Sequence, residues 1–267
     1  MKKIISTLSL MLILFFTGIS FCSCVFAGKF IRPNHKYTTK TINVSSFKAV
    51  SLTGNCDIIF TPATTNNQSL ELYASENVID YIEVFVENNT LVCKTQKGIN
   101  ILRNNDKMEL RVSAPMVSKA EVTGSGSMHF IDDANIPGSL ALNVTGSGDI
   151  QMKGLICNKL DAEVTGSGDI SVNNVKVDDV EAEVTGSGDI MLTGNTASAD
   201  YKITGSGDIH ANNLMAKEVK AEVTGSGDIS CYAVETLNAN RSGSGEIHYK
   251  GNPQINTSKN NWLHQIQ

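Results

Sequence analysis

The phrase Thr-Gly-Ser-Gly-Asp-Ile recurs through the second half of this 267-residue chain, starting at Thr145, Thr165, Thr185, Thr204 and Thr224. Weaker copies start at Thr123 (TGSGSM) and Ser242 (SGSGEI), so successive starts lie 22, 20, 20, 19, 20 and 18 residues apart. A unit this short cannot enclose a core of its own. It has to be one turn of something that stacks.

Apolar and polar residues alternate on both sides of the Gly-Ser-Gly, which is the pattern of strands with one buried face. When the units are aligned on the Thr, apolar residues fall into columns. One residue before it stand Val122, Val144, Val164, Val184, Ile203 and Val223. Five after it stand Met128, Ile150, Ile170, Ile190, Ile209, Ile229 and Ile247, and seven after it Phe130, Met152, Val172, Leu192, Ala211, Cys231 and Tyr249. Each turn therefore sends the same inward residues to the same place. The expected fold is all-β: a parallel β-helix of about 20 residues per turn, right-handed by the bias of β-crossovers. The glycines permit positive φ at a corner repeated on every turn.

The N-terminal half is less regular. Val50–Phe60 reads as a degraded copy of the phrase, with Thr53 in the place of the repeated Thr but far upstream of Thr123. Between them, Tyr81–Val86 and Leu91–Lys94 read as a hairpin, and Met108–Val112 as a strand. A solenoid end exposes unpaired strand groups and needs a cover. The expected organisation is a signal segment (1–27), a linker (28–39), an N-terminal β cap (40–115), β-helix repeats (116–257) and a C-terminal tail (258–267).

Lys2 and Lys3 followed by an apolar run to about Phe21 form a targeting segment. Three routes fit it. Signal peptidase could cut after Val25-Phe26-Ala27; Ser23-Cys24 could serve as a loose lipobox with Cys24 acylated; or the segment could stay as an uncleaved anchor of marginal length. All three place the body outside the cytoplasm: periplasm, outer membrane or cell surface. The formal net charge is −5, and −7 without Lys2 and Lys3, and no basic stretch tracks a phosphate backbone. Nucleic acid is thereby excluded as a partner. Cys56, Cys93, Cys157 and Cys231 of the body show no metal-ligand spacing and read as small core-filling residues, though an oxidising compartment would permit disulfides.

An early "FKAVSLTGNCDIIF", then "LYASENVIDYIEVFVENNTLVCKT", serial "VTGSGDI" turns and a closing "SGSGEIHYKGNPQI" resemble the bacterial putative autotransporter adhesin, head GIN domain family, over residues 40–257. The resemblance implies an envelope location and a β-helix-like body, and brings no catalytic residues. Family members often close with a further Gly/Ser-rich turn, where this chain has Thr257-Ser258-Lys259-Asn260.

The sharpest candidate for chemistry is the acidic column Asp149, Asp169, Asp189, Asp208 and Asp228, ended by Glu246. Like charges stacked about 5 Å apart repel, so something must offset them. Either a cation such as Ca²⁺ binds oxygens from adjacent turns, or each Asp accepts backbone N–H groups at the corner, as in Asx-turns. Polysaccharide cleavage by paired carboxylates is disfavoured, because every turn carries the same Asp with nothing to set one pair apart. His129, His210 and His248 sit between inward positions and face outward; His210 and His248 lie two turns apart, too far for one metal. No Ser/His/Asp arrangement or phosphate loop is readable. The expected function is that of an exported envelope protein of adhesin type, structural or binding a glycan or protein, without catalysis or cofactor. A cation-dependent or carbohydrate-binding module using the Asp row is the alternative.

Overall fold

The computed structural model describes residues 28–63, 67–257 and 261–267. The targeting segment, with Cys24, and Ser258-Lys259-Asn260 lie outside the described residues. The N-terminal elements are β1 (Lys29–Ile31), β2 (Tyr37–Ile42), β3 (Ala49–Gly54), β4 (Asp57–Pro62), β5 (Ser69–Ser75), β6 (Ile82–Glu87), β7 (Thr90–Thr95), β8 (Ile99–Ile101) and β9 (Glu109–Ala114). The repeats supply β10 (Lys119–Gly124), β11 (Met128–Asn135), β12 (Ser139–Gly146), β13 (Ile150–Ile156), β14 (Lys159–Gly166) and β15 (Ile170–Gly186). They continue with β16 (Ile190–Gly205), β17 (Ile209–Gly225), β18 (Ile229–Gly243), β19 (Ile247–Lys250), β20 (Gln254–Asn256) and β21 (Leu263–Gln265). Among the described residues the only helical element is the single 3-10 turn Ile79–Tyr81.

The body is a β-solenoid of about seven turns, spaced about 20 residues apart. β15 against β16 shows what one turn is made of. Parallel pairing runs from Ile170–Val172, resumes at Val175–Val177, and resumes again from Asp179 to Gly186. Each turn is thus three short strand segments, with bends after the first and second and the Gly-Ser-Gly corner after the third. Asn174 (φ 49°) takes one bend and Gly194 (φ 133°) the matching bend of the next turn. Thr165, Thr185, Thr204 and Thr224 stand opposite one another in register. The aligned columns are the core: Val144, Val164, Val184, Ile203 and Val223 are each at most 1% exposed. Every such side chain contributes roughly 1.5–3 kcal/mol of burial, which no single turn could gain alone.

The two corner glycines serve different needs. The first of each pair, such as Gly186 (φ 127°), holds the left-handed conformation expected from the sequence. The second is not left-handed, but a Cβ on Gly188 would stand 2.0 Å from the backbone oxygen of Gly168 one turn below. It is Gly because turns stack too closely for anything larger.

Stack order and chain order differ at the N-terminal end. β3 pairs in parallel with β10 (Thr53 opposite Thr123) and β4 with β11, so the degraded phrase is a full turn of the coil. Below it lie β7 and β9, parallel to β3 and β4. The chain therefore builds this turn, leaves the coil after Pro62, lays a turn underneath, and returns above at Lys119. Antiparallel strands finish that end: β6 on β7, β5 on β9, and β2 on β5. The residues expected as a linker, 28–39, carry β1, paired with β8, and the start of β2. They are strands because the cap otherwise leaves edges unpaired. The tail also belongs to the stack. β21 pairs with β19, and Trp262 is 5% exposed under the Arg241 guanidinium, which lies 5.6 Å from its ring centroid.

Candidate functional site

The acidic column runs along one corner of the coil, half-exposed, and its carboxylates already have partners. Asp149 Oδ1 accepts the backbone N–H of Asp169 at 3.1 Å, and Asp169 Oδ1 that of Asp189 at 2.9 Å. Asp189 accepts from Asp208 at 2.9 Å, Asp208 from Asp228 at 2.8 Å, and Asp228 from Glu246 at 2.6 Å. Downward the row reaches Asp57, whose Oδ1 accepts the Ser127 N–H at 3.1 Å. A charge-assisted bond wherever an Asp stands below the next turn offsets the repulsion that the spacing imposes. The structure thus places the five aspartates in one row, each spent on the turn that follows. Among the described residues, no three His, Cys, Asp or Glu side chains are grouped as a metal ion requires.

The face just before the corner is densely charged. Its outward columns hold Asp161, Glu181, Asp200 and Lys220 in one line and Glu163, Glu183, Lys202 and Glu222 in the next. Lysines bridge turns: Lys159 Nζ lies 2.7 Å from Glu181, Lys202 2.7 Å from Glu183, and Lys220 3.2 Å from Asp200. These carboxylates hold all three lysines above the ordinary lysine value. Asp161 is pushed up, first by burial and then by Glu181. A shallow groove of about 400 Å³, lined by Lys159, Glu181, Ser198, Asp200, Lys220 and Asn238 among others, runs across several turns. Such a surface offers rows of carboxylate acceptors interspersed with lysine donors to an extended polar partner, with no single residue set apart.

The cap end has a second opening, a cleft of about 680 Å³ lined in part by Arg32, His35, Asn55, Arg103, Asn104 and Ser125. Asp106 also lines it, is 2% exposed, and takes His35 Nδ1 at 2.8 Å and the Tyr37 hydroxyl at 2.9 Å. The Asp106 hydrogen bond is the first cause of a raised Tyr37 phenol. Arg103 is committed to Asp57 by two contacts, one of them Nη1 to Oδ1 at 2.9 Å, and is held above its usual value by that carboxylate. His35 adopts φ 61°. Nothing in the sequence announces this cluster, since its members are scattered along the chain from Arg32 to Asp106.

His129 and His210 are half-exposed on the outer surface, and His248 has a neighbour that alignment of the repeats does not show. β21 brings His264 opposite His248, with ring centroids 5.6 Å apart, and their Nε2 atoms lie 3.8 and 3.5 Å from Glu246 Oε2. The signal was present: Trp262-Leu263-His264 repeats the order of Glu246-Ile247-His248 without its Gly-Ser-Gly.

These surfaces belong to a scaffold with known relatives. A family described as putative auto-transporter adhesin, head GIN domain, matches residues 46–253. The chain belongs to this family. Solved structures agree. A putative lipid binding protein from Parabacteroides distasonis is 26% identical, with a TM-score of 0.83 over 90% of this chain and 100% of its own. A putative adhesin from Parabacteroides merdae is 25% identical, with a TM-score of 0.81 over 90% and 100%. A putative adhesin from Bacteroides fragilis is 26% identical, with a TM-score of 0.64 over 88% and 95%. No curated protein matches. Family membership carries an adhesin-like binding role and fits an extracellular or surface protein.

Proposed function

We propose that this head GIN domain protein is exported, stays attached to the cell envelope, and binds an extended polar partner, a glycan or a protein, along the outer face of its coil without transforming it. The observation that carries this reading is the charged face. Its columns run through successive turns in register, so binding groups recur about every 4.8 Å, as a repeating ligand requires. The cross-turn lysine bridges hold those groups in fixed positions, which lowers the entropic cost of binding. Attachment would come through the N-terminal segment, either by a lipid on Cys24 or by the segment itself.

Glycan and envelope-protein arrays probed with the purified protein test this reading. The expected result is retention of a repeating polar ligand, lost when Lys159, Lys202 and Lys220 are replaced together, with the ligand recovered unchanged. Consumption of a defined glycan by the protein would overturn it.

A further inference from the structure

We propose that Cys56 and Cys93 close into a disulfide bond in the exported protein, fastening the first turn of the coil to the strand laid beneath it. The proposal rests on export for its oxidising surroundings, and on the geometry of the repeat for the choice of partners.

Cys56 stands at the second corner position, which holds Gly126, Gly148, Gly168, Gly188, Gly207, Gly227 and Gly245 in the turns above. At that position a Cβ points down at the turn below, toward two things. One is the backbone oxygen of the corner residue beneath. The other is the inward side chain one residue before the Thr: Leu52 Cδ2 at 3.1 Å for Gly126, Val122 Cγ1 at 2.8 Å for Gly148, Val164 Cγ1 at 2.9 Å for Gly188. In the turn below Cys56 that inward residue is Cys93, which pairs with Leu52. The repeat therefore aims the Cβ of Cys56 at the side chain of Cys93, and a disulfide needs Cβ atoms about 3.5–4.5 Å apart.

Cys56 can carry a side chain where its counterparts cannot because the corner beneath it is opened. There the chain detours between β7 and β9, and Cys56 Sγ donates to Met108 O at 3.1 Å. Both thiols are buried, at 2% and 0% exposure, and the neighbouring Cys93 is the first cause, ahead of burial, that pushes the Cys56 thiol well above its ordinary value. The other two cysteines have different surroundings: Cys157 is half-buried and donates to Lys159 O, and Cys231 is buried beside Tyr201.

Bond formation removes two protons and two electrons from the two thiols. The acceptor is the disulfide of an oxidised thiol oxidoreductase or of oxidised glutathione, which leaves as two thiols. In the folded chain the Cys56 thiol is buried and held protonated. Exchange therefore belongs to the folding chain, before the cap closes, and the finished bond is shielded from reductants.

The full chain, expressed with its own signal, is fractionated, unfolded without reductant in the presence of iodoacetamide, and cut after glutamate. Glu71, Glu76, Glu83 and Glu87 lie between the two cysteines, whereas no Lys or Arg does. Expected is one linked pair of peptides joining Cys56 to Cys93, with Cys157 and Cys231 alkylated. Reduction should lower Tm by about 10 °C. A second arm refolds reduced protein in a glutathione redox mixture, where the same pair should form and neither C56S nor C93A should form a substitute pair. Four alkylated body thiols in both arms, or linkage to Cys157 or Cys231, would overturn the proposal. If the refolded protein forms the bond while the cellular protein is cytoplasmic and fully reduced, the pairing stands and the export reading fails.

Discussion

Asp189 Oδ1 accepts the backbone N–H of Asp208 at 2.9 Å, a bond made from one turn to the next rather than within a turn. The same bond recurs from Asp149 to Glu246, so the most conspicuous acid row of the sequence works as a fastener between turns. Asn keeps the accepting oxygen and drops the charge; Ala drops both. Asp189→Ala should cost about 1 kcal/mol, while Asp189→Asn should be neutral, or stabilising at low salt where the row repels itself most. Urea unfolding at two ionic strengths measures both. Equal losses for the two variants would show that the bond is not what the side chain supplies.

Calcium removal follows from the same geometry. If backbone N–H groups neutralise the row, melting curves with millimolar Ca²⁺ and with EDTA should coincide. A site with a Kd near 10⁻⁵ M would stabilise the protein by about 2.7 kcal/mol at a hundredfold excess of Ca²⁺, a shift of several degrees. An upward shift of that size that vanishes in Asp189→Asn would return the row to metal binding.

Gly207 separates close packing from backbone conformation. It is not left-handed, yet a Cβ there would meet Gly188 O at 2.0 Å and two further backbone atoms at 3.0 Å. All three belong to the Gly188 backbone in the turn below, which is fixed by its own pairing and cannot yield. Gly207→Ala should therefore lose about 3 kcal/mol or more. At Gly98 (φ 80°) an added Cβ would have nothing within 4 Å, so Gly98→Ala should lose only the left-handed penalty of about 1–2 kcal/mol. Chemical denaturation ranks the two. A Gly207→Ala protein as stable as Gly98→Ala would mean that the turns sit further apart than described.

Tyr201 interrupts the column of Ala182 and Ala221, fully buried, with a hydroxyl that has no hydrogen-bond partner among the described residues. Burial pushes its phenol well above the ordinary value, with Cys231 adding to the effect. Tyr201→Phe removes an unsatisfied polar atom and keeps the ring, so it should stabilise by about 1 kcal/mol. Tyr201→Ala opens a cavity and should cost about 3–5 kcal/mol. Loss of stability in the Phe variant would reveal a partner for the hydroxyl.

The coil was legible because its columns are local and periodic: Val184 predicts Val164 and Ile203 from spacing alone. What escaped the sequence is non-local. Nothing near Thr53 announces that β7 and β9 will slide beneath it, since the stretch between Pro62 and Lys119 encodes pairings rather than repeats. The second corner glycine looks in the sequence like another position of positive φ, whereas crowding by the neighbouring turn is what requires it. Cys56 shows the same gap, because its meaning depends on which turn lies below. The acid row was legible as a row. The bond from each Asp to the N–H of the next turn was not, because it depends on how closely the turns stack.

The C-terminal end can be followed by itself, because the chain's one tryptophan sits there. Ile247 N–H donates to Trp262 O at 2.9 Å, as Ile229 N–H does to Glu246 O, so Trp262 begins the last partial turn. Arg241 takes the place that Val223 holds one turn below and lays its guanidinium over the indole. An end turn has a neighbour on one side only, so it should open before the interior turns. Trp emission should then shift red at lower urea than the strand circular-dichroism signal is lost. Arg241→Ala removes a contact of about 0.5–1 kcal/mol and should lower the fluorescence midpoint while moving the strand midpoint less. Coincident midpoints in the parent protein, moving together in the variant, would show that the end turn is cooperative with the rest of the coil.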